Sequence, residues 1–188
     1  MLIKIAAFLL ETIFFFLIAA ALLRAWMNRL QIRMATQPGP FVMALTDWLV
    51  KPLRQALPAR LKQSRTDWAS ICAAVLLALL YAALWFVLFT GIFSLLDTDF
   101  SAFESLFAVL TFALKMLLKV ALQTLQIVVL VFAVLSWVQP GSPLYSLLGR
   151  LTEPLLSPIR RVVPLIGGVD LSALVLLVLT QIALMLLG

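Results

Sequence analysis

Apolar residues fall in four long blocks, covering about residues 5–23, 68–96, 120–138 and 171–187. A helix needs about 20 mostly apolar residues to cross the hydrocarbon core of a bilayer, so each block predicts a transmembrane helix. Glu11 is the lone charge of the first block, and the second carries none. The positive cluster follows the first block rather than preceding it, which predicts a retained anchor and not a cleavable leader. Between the second and third blocks, residues 97–119 predict an extracytoplasmic linker or interfacial helix. This stretch is apolar from Phe103 onward yet carries Glu104, Lys115 and Lys119, so the alternative is a long third helix that starts outside the membrane.

Two connections have a different pattern. Phe41, Leu45, Trp48, Leu49, Leu53, Ala56 and Leu57 recur at helical spacing, with Thr46, Asp47, Lys51, Arg54 and Gln55 on the other side. Leu144, Leu147, Leu148, Leu151, Leu155 and Ile159 form a similar stripe. Each predicts an amphipathic helix lying in the membrane interface. Pro52 and Pro158 lack an N–H and are expected to end or kink these helices.

The two connections also match each other in one constant register. Thr46, Leu49, Pro52, Arg54 and Pro58 align with Thr152, Leu155, Pro158, Arg160 and Pro164, and Asp47 aligns with Glu153. An aspartate then precedes the next apolar block in each case, Asp67 and Asp170. The chain is therefore read as an internal duplication. Residues 1–96 form the first unit and 120–188 the second, each a span, a basic connection and a returning span. Two spans bring the chain back to its starting side, so the units are parallel rather than inverted.

Charge sets the expected orientation. Arg24, Arg29, Arg33, Lys51, Arg54, Arg60, Lys62 and Arg65 lie in the first connection, and Arg150, Arg160 and Arg161 in the third. Only Lys4, Lys115 and Lys119 lie on the other side. Positive residues favour the cytoplasmic face, which predicts cytoplasmic connections and termini outside. The net charge of +6 is thereby explained by the bilayer and its anionic headgroups, with no nucleic acid as partner.

Composition narrows the chemistry. Hydrophobic residues make up 64% of the chain and charged residues 12%, too few polar groups to cover a water-soluble surface. The absence of histidine excludes His-ligated haem or zinc and a Ser-His-Asp triad. Cys72 is the single cysteine and reads as a small packed hydrophobe. No catalytic, cofactor-binding or metal-binding residue is expected, and the chain is read as not an enzyme.

Three groups remain as candidates. Arg54, Arg160 and Arg161 are placed to bind phosphate headgroups or an acidic partner, against the plainer reading that they set topology and snorkel to water. Pro52, Pro58, Asp67, Pro158, Pro164 and Asp170 form the structural motif. Its aspartates would cap helices or bridge to Arg54 and Arg160. Glu11 marks an intramembrane polar site or sits near the outer surface, a few residues from the start, while Gln123 and Gln126 hydrogen-bond between helices or line a polar path.

The run Pro154-Leu155-Leu156-Ser157-Pro158-Ile159-Arg160-Arg161-Val162-Val163-Pro164, followed by Gly167-Gly168-Val169-Asp170, resembles the YggT family of bacterial and plastid membrane proteins, also called YlmG. The first copy departs from that pattern, with Gln55 in place of the second arginine and Ser64-Arg65-Thr66-Asp67 in place of Gly-Gly-x-Asp. The resemblance implies a polytopic membrane protein with no established reaction. The roles it implies are membrane organisation in division, assembly of membrane complexes, and tolerance of osmotic stress. The expectation is thus an all-α protein of four transmembrane helices in two parallel hairpin repeats, each with a cytoplasmic amphipathic helix. It would act as a non-enzymatic organiser of membrane-protein partners, with a homo-oligomer left open. An ion or osmolyte pathway is the rival.

Overall fold

The computed structural model describes residues 1–32, 38–58, 64, 66–93, 102–161 and 171–188. Six helices account for nearly all of them, and no strand occurs among the described residues. They are α1 (Leu2–Arg29), α2 (Gly39–Ala56), α3 (Trp68–Phe93), α4 (Ala102–Val138), α5 (Pro143–Arg160) and α6 (Leu171–Leu187). Three are long and apolar enough to cross a membrane, over Lys4–Arg29, Trp68–Leu88 and Leu106–Val138. The block expected to be the fourth span forms α6, an apolar helix shorter than these three. Its 17 residues reach about 26 Å at 1.5 Å per residue. The segment 103–119 is no separate interfacial element. It is the first half of α4, one helix of 37 residues.

The ends of these helices follow from local chemistry. α1 stops where Gln31 takes a left-handed φ of 54°. The Gln31 N–H then donates to the Asn28 carbonyl and the Ile32 N–H to the Met27 carbonyl, which satisfies two orphan carbonyls of the last turn. α5 starts at Ser142, whose hydroxyl accepts from the Tyr145 N–H at 3.1 Å, with Pro143 preset for the first turn.

α1 packs on α3 and both receive α2, while α4 packs on α6 and both receive α5. The first group closes around Ile18, Ala21, Val50, Ala73, Ala74 and Leu77. The second closes around Met27, Val129, Leu148, Leu151 and Leu156. Gly149 has the Phe132 ring 3.4 Å from where a Cβ would sit, and that ring stacks on Tyr145 at 5.1 Å. Phe14, Tyr81 and Phe112 join α1, α3 and α4 through ring contacts. Near its start α1 meets α4 through Glu11 and Lys119. Near its end, Met27 shares a core with Val129 and Phe132. The two helices therefore run in the same direction, and α2 and α5 lie at one end of the bundle.

Of the two outcomes expected at the prolines, an end or a kink, the first is corrected. Pro52 and Pro158 do not end their helices: α2 continues to Ala56, and α5 runs through Pro154 and Pro158 to Arg160. All three prolines are exposed, so the carbonyls they leave unpaired are not trapped in a core. The apolar stripe of α2 divides between two surroundings. Val42, Thr46 and Val50 are buried, with Leu49, Leu53 and Leu57 packed beside them. Phe41 and Trp48 instead point away from the bundle, 59% and 60% exposed.

Candidate functional site

At the end of the bundle that carries α2 and α5, polar side chains from three helices converge. Arg24 and Asn28 sit one turn apart on α1 and face α2 and the mouth of α3. Arg24 is buried, at 5% exposure. Its Nη1 donates to Thr46 Oγ1 and to Asp47 Oδ1, both at 2.8 Å. Asp47 also pairs with Lys51 at 2.8 Å. The Lys51 hydrogen bond, joined by the Arg24 guanidinium, holds the Asp47 carboxyl below its ordinary value against a partial loss of water.

Asp67 forms the second node. Its Oδ2 accepts from Arg54 Nη2 at 2.9 Å, from the Ser70 hydroxyl at 2.8 Å and from the Asn28 amide. Its Oδ1 accepts a long 3.4 Å bond from the Ser70 N–H, the bond of an N-cap. Capping and bridging to Arg54 thus coexist in one carboxylate. Burial pushes the Asp67 carboxyl up, but Ser70, Arg54 and Asn28 outweigh it, and the group lies below its ordinary 3.8. The result ties α1, α2 and α3 through a side chain only 7% exposed.

The matching site in the second half falls in part within the described residues. Thr152 is buried like Thr46, and both donate to a carbonyl four residues back. Arg160 pairs with Glu153 at 2.8 Å. Arg161 is exposed at the end of α5, and Pro58 is exposed just beyond α2. Pro164 and Asp170 lie outside the described residues. Sequence reasoning had counted Arg24 only for topology and had passed over Asn28. The signal available was their spacing of four on one helical face.

Toward the other end, the three intramembrane candidates come together. Glu11, Gln123 and Gln126 line one cavity of about 430 Å³ between the hairpins, with Tyr81, Lys115, Lys119 and Gln181. Lys119 Nζ is 3.2 Å from Glu11 Oε1, and the Gln126 amide donates to Gln181 Oε1 at 3.1 Å. A second cavity of about 270 Å³ shares Glu11, Lys119 and Gln123 and is walled by Phe8 and Phe15. Lys119 and Gln181 were not singled out from the sequence. Their partners lie on other helices, too far along the chain for spacing to reveal.

A family model described as CCB3/YggT matches residues 3–88 and 111–188. An uncharacterized protein in the proC 3' region of Vibrio alginolyticus is 36% identical over 183 residues, spanning 97% of this chain and 92% of that protein. The uncharacterized protein YggT of Escherichia coli K12 is 32% identical over 183 residues, 93% of this chain and 85% of its own length. A Haemophilus influenzae protein, also uncharacterized, is 28% identical over 157 residues, 83% of this chain and 76% of its own. No solved structure matches.

Proposed function

The chain belongs to the CCB3/YggT family, and on that footing we propose that it is a non-enzymatic organiser of the bacterial inner membrane. In this reading four spans form two parallel hairpins, and α2 and α5 lie at the cytoplasmic face as a fixed basic platform. The observation that carries it is the Asp67 node, which locks a basic amphipathic helix to the mouths of two spans. A helix that only filled a loop would need no such lock. α2 has three faces: a buried one, a charged one, and an exposed apolar one bearing Phe41 and Trp48. That division suits a helix bounded by protein, headgroups and lipid tails.

Further support comes from both halves. The two matched segments each hold one hairpin with its connecting helix. Seventeen residues lie at the short end of spanning lengths, which suits α6 as the fourth span. The exposed arginines are placed to hold anionic headgroups or an acidic membrane-protein partner. Photo-crosslinking from position 48 or 51 in intact membranes tests the platform. One identified partner protein should be captured, with capture lost in Asp67→Asn and in the paired Arg54→Lys, Arg160→Lys variant. Crosslinks to lipid alone would overturn the organiser role.

The cavity around Glu11 and Gln123 favours a second reading, an ion or osmolyte pathway. It ranks lower because Ile18, Ala21, Val120 and Val129 are buried and apolar, and the buried hydroxyls of Thr124 and Thr180 donate to carbonyls of their own helices. Liposome flux abolished by Glu11→Gln would reverse the ranking.

A further inference from the structure

Lys115 and Lys119 stand one turn apart on the same face of α4, and both line the larger cavity. Two cations at this spacing repel unless an anion lies between them. Lys119 has Glu11 as its partner, whereas Lys115 has no carboxylate partner among the described residues. Two cationic side chains and one carboxylate side chain therefore contribute to the cavity wall, with Lys119 and Glu11 43% and 45% exposed. Glu11 in turn commits only Oε1 to Lys119, leaving Oε2 without a partner among the described residues. Gln123 makes no side-chain hydrogen bond among them either. The wall thus offers, side by side, a site for an anion and a site for a small cation.

The placement along the helices adds a second constraint. Measured from the end of α4 at Val138, Lys115 and Lys119 lie about 35 and 28 Å away, and Gln126 about 18 Å, at 1.5 Å per residue. With a hydrocarbon core about 30 Å thick, the charges fall at the headgroup level of the leaflet opposite α2 and α5. The glutamine amides fall beneath it. Phe112, Met116, Leu184 and Met185 line the same cavity. Charge at the rim, amides below and apolar walls beside them repeat the order of a phosphoglyceride: headgroup, ester carbonyls, acyl chains.

We propose that this cavity binds an ammonium–phosphate zwitterion of the ethanolamine-phosphate type. Lys115 and Lys119 clamp the phosphate, the free oxygen of Glu11 accepts the ammonium, and Gln123 donates to an oxygen below the phosphate. The cavity volume of about 430 Å³ is within the range of small-molecule sites. The site needs only the membrane placement of the hairpins, not the platform role of α2 and α5, so either can fail alone.

The test uses the purified full-length chain in neutral detergent, with binding read by native mass spectrometry. The probes are dioleoylphosphatidylethanolamine, dioleoylphosphatidylglycerol and soluble phosphoethanolamine. Ethanolamine lipid should bind at least tenfold more tightly than glycerol lipid. Glu11→Gln should erase that preference while keeping glycerol-lipid binding, and Lys115→Gln with Lys119→Gln should weaken both by tenfold or more. Binding of soluble phosphoethanolamine as well would assign the zwitterion to a free solute; its failure to bind would assign it to lipid. Equal affinity for the two lipids in the unaltered protein would overturn the proposal, as would a preference that survives Glu11→Gln. The unaltered-protein comparison stands even if a variant fails to fold.

Discussion

Replacing Asp67 with asparagine keeps the size and shape of the side chain and most of its capping ability, so the change isolates the charge. Three bonds to Oδ2, from Arg54, Asn28 and Ser70, lose their charge assistance. The difference between a charged and a neutral hydrogen bond is about 1 kcal/mol each. The Arg54 share is discounted because that side chain is 50% exposed and screened by water. Arg54 is the donor that belongs to α2, so the loss in α2 docking is about 0.5 kcal/mol, a roughly twofold shift, while the Asn28 and Ser70 shares weaken the α1–α3 contact and the α3 cap. Hydrogen exchange on the protein in lipid nanodiscs reads this directly. Amides of residues 39–57 should exchange roughly twofold faster, while those of α3 beyond its first turn hold their protection. If α2 exchanged at its original rate, the carboxylate would not be what docks it.

The same node predicts a pH dependence. The Asp67 and Asp47 carboxyls lie below their unfolded value of 3.8, so their stabilisation is complete above that value and is lost as pH falls through the lower, folded one. Exchange of α2 should be alike at pH 7 and pH 5 after correction for intrinsic rates and should accelerate below pH 3.8. Arg24→Ala breaks a pair whose arginine side chain is 7% exposed and should cost about 3 kcal/mol. Lys51→Ala removes a partner that is 70% exposed and should cost under about 0.5 kcal/mol; equal thermal shifts for the two would contradict this. Gln31→Gly relieves a left-handed residue and should raise unfolding stability by about 1 kcal/mol, measured by denaturant titration. A variant retaining Trp48 alone should be quenched by brominated acyl chains and spared by aqueous iodide, since that ring faces away from the bundle.

The sequence was legible where a pattern is local. Four apolar blocks, two amphipathic connections and the aspartate before α3 all follow from composition and period. Partnerships were legible only where both residues belonged to a named motif, as with Arg54 and Asp67. Arg24 and Asn28 reach their partners across 23 and 39 positions, and no periodicity links residues so far apart. Phe41 and Trp48 were read in one stripe with Leu49 and Leu53 because hydrophobicity does not tell protein from lipid, whose tails are as apolar as leucine. Glu11, Gln123 and Gln126 were found because polarity in an apolar block is conspicuous. Lys119 was not, because it lay in a stretch that also read as interfacial.

Neither α1 nor α4 contains a glycine or a proline, the residues at which helices most often bend. Each therefore behaves as a rigid rod joining the two ends of the molecule. Met116, at the cavity, and Phe132, under α5, are separated by about 24 Å of unbroken helix. Leaning α4 by ten degrees would displace one end against the other by about 4 Å. Whatever fills or empties the space beside Met116 thus has a mechanical lever on the seat of α5, at the opposite end of the rod.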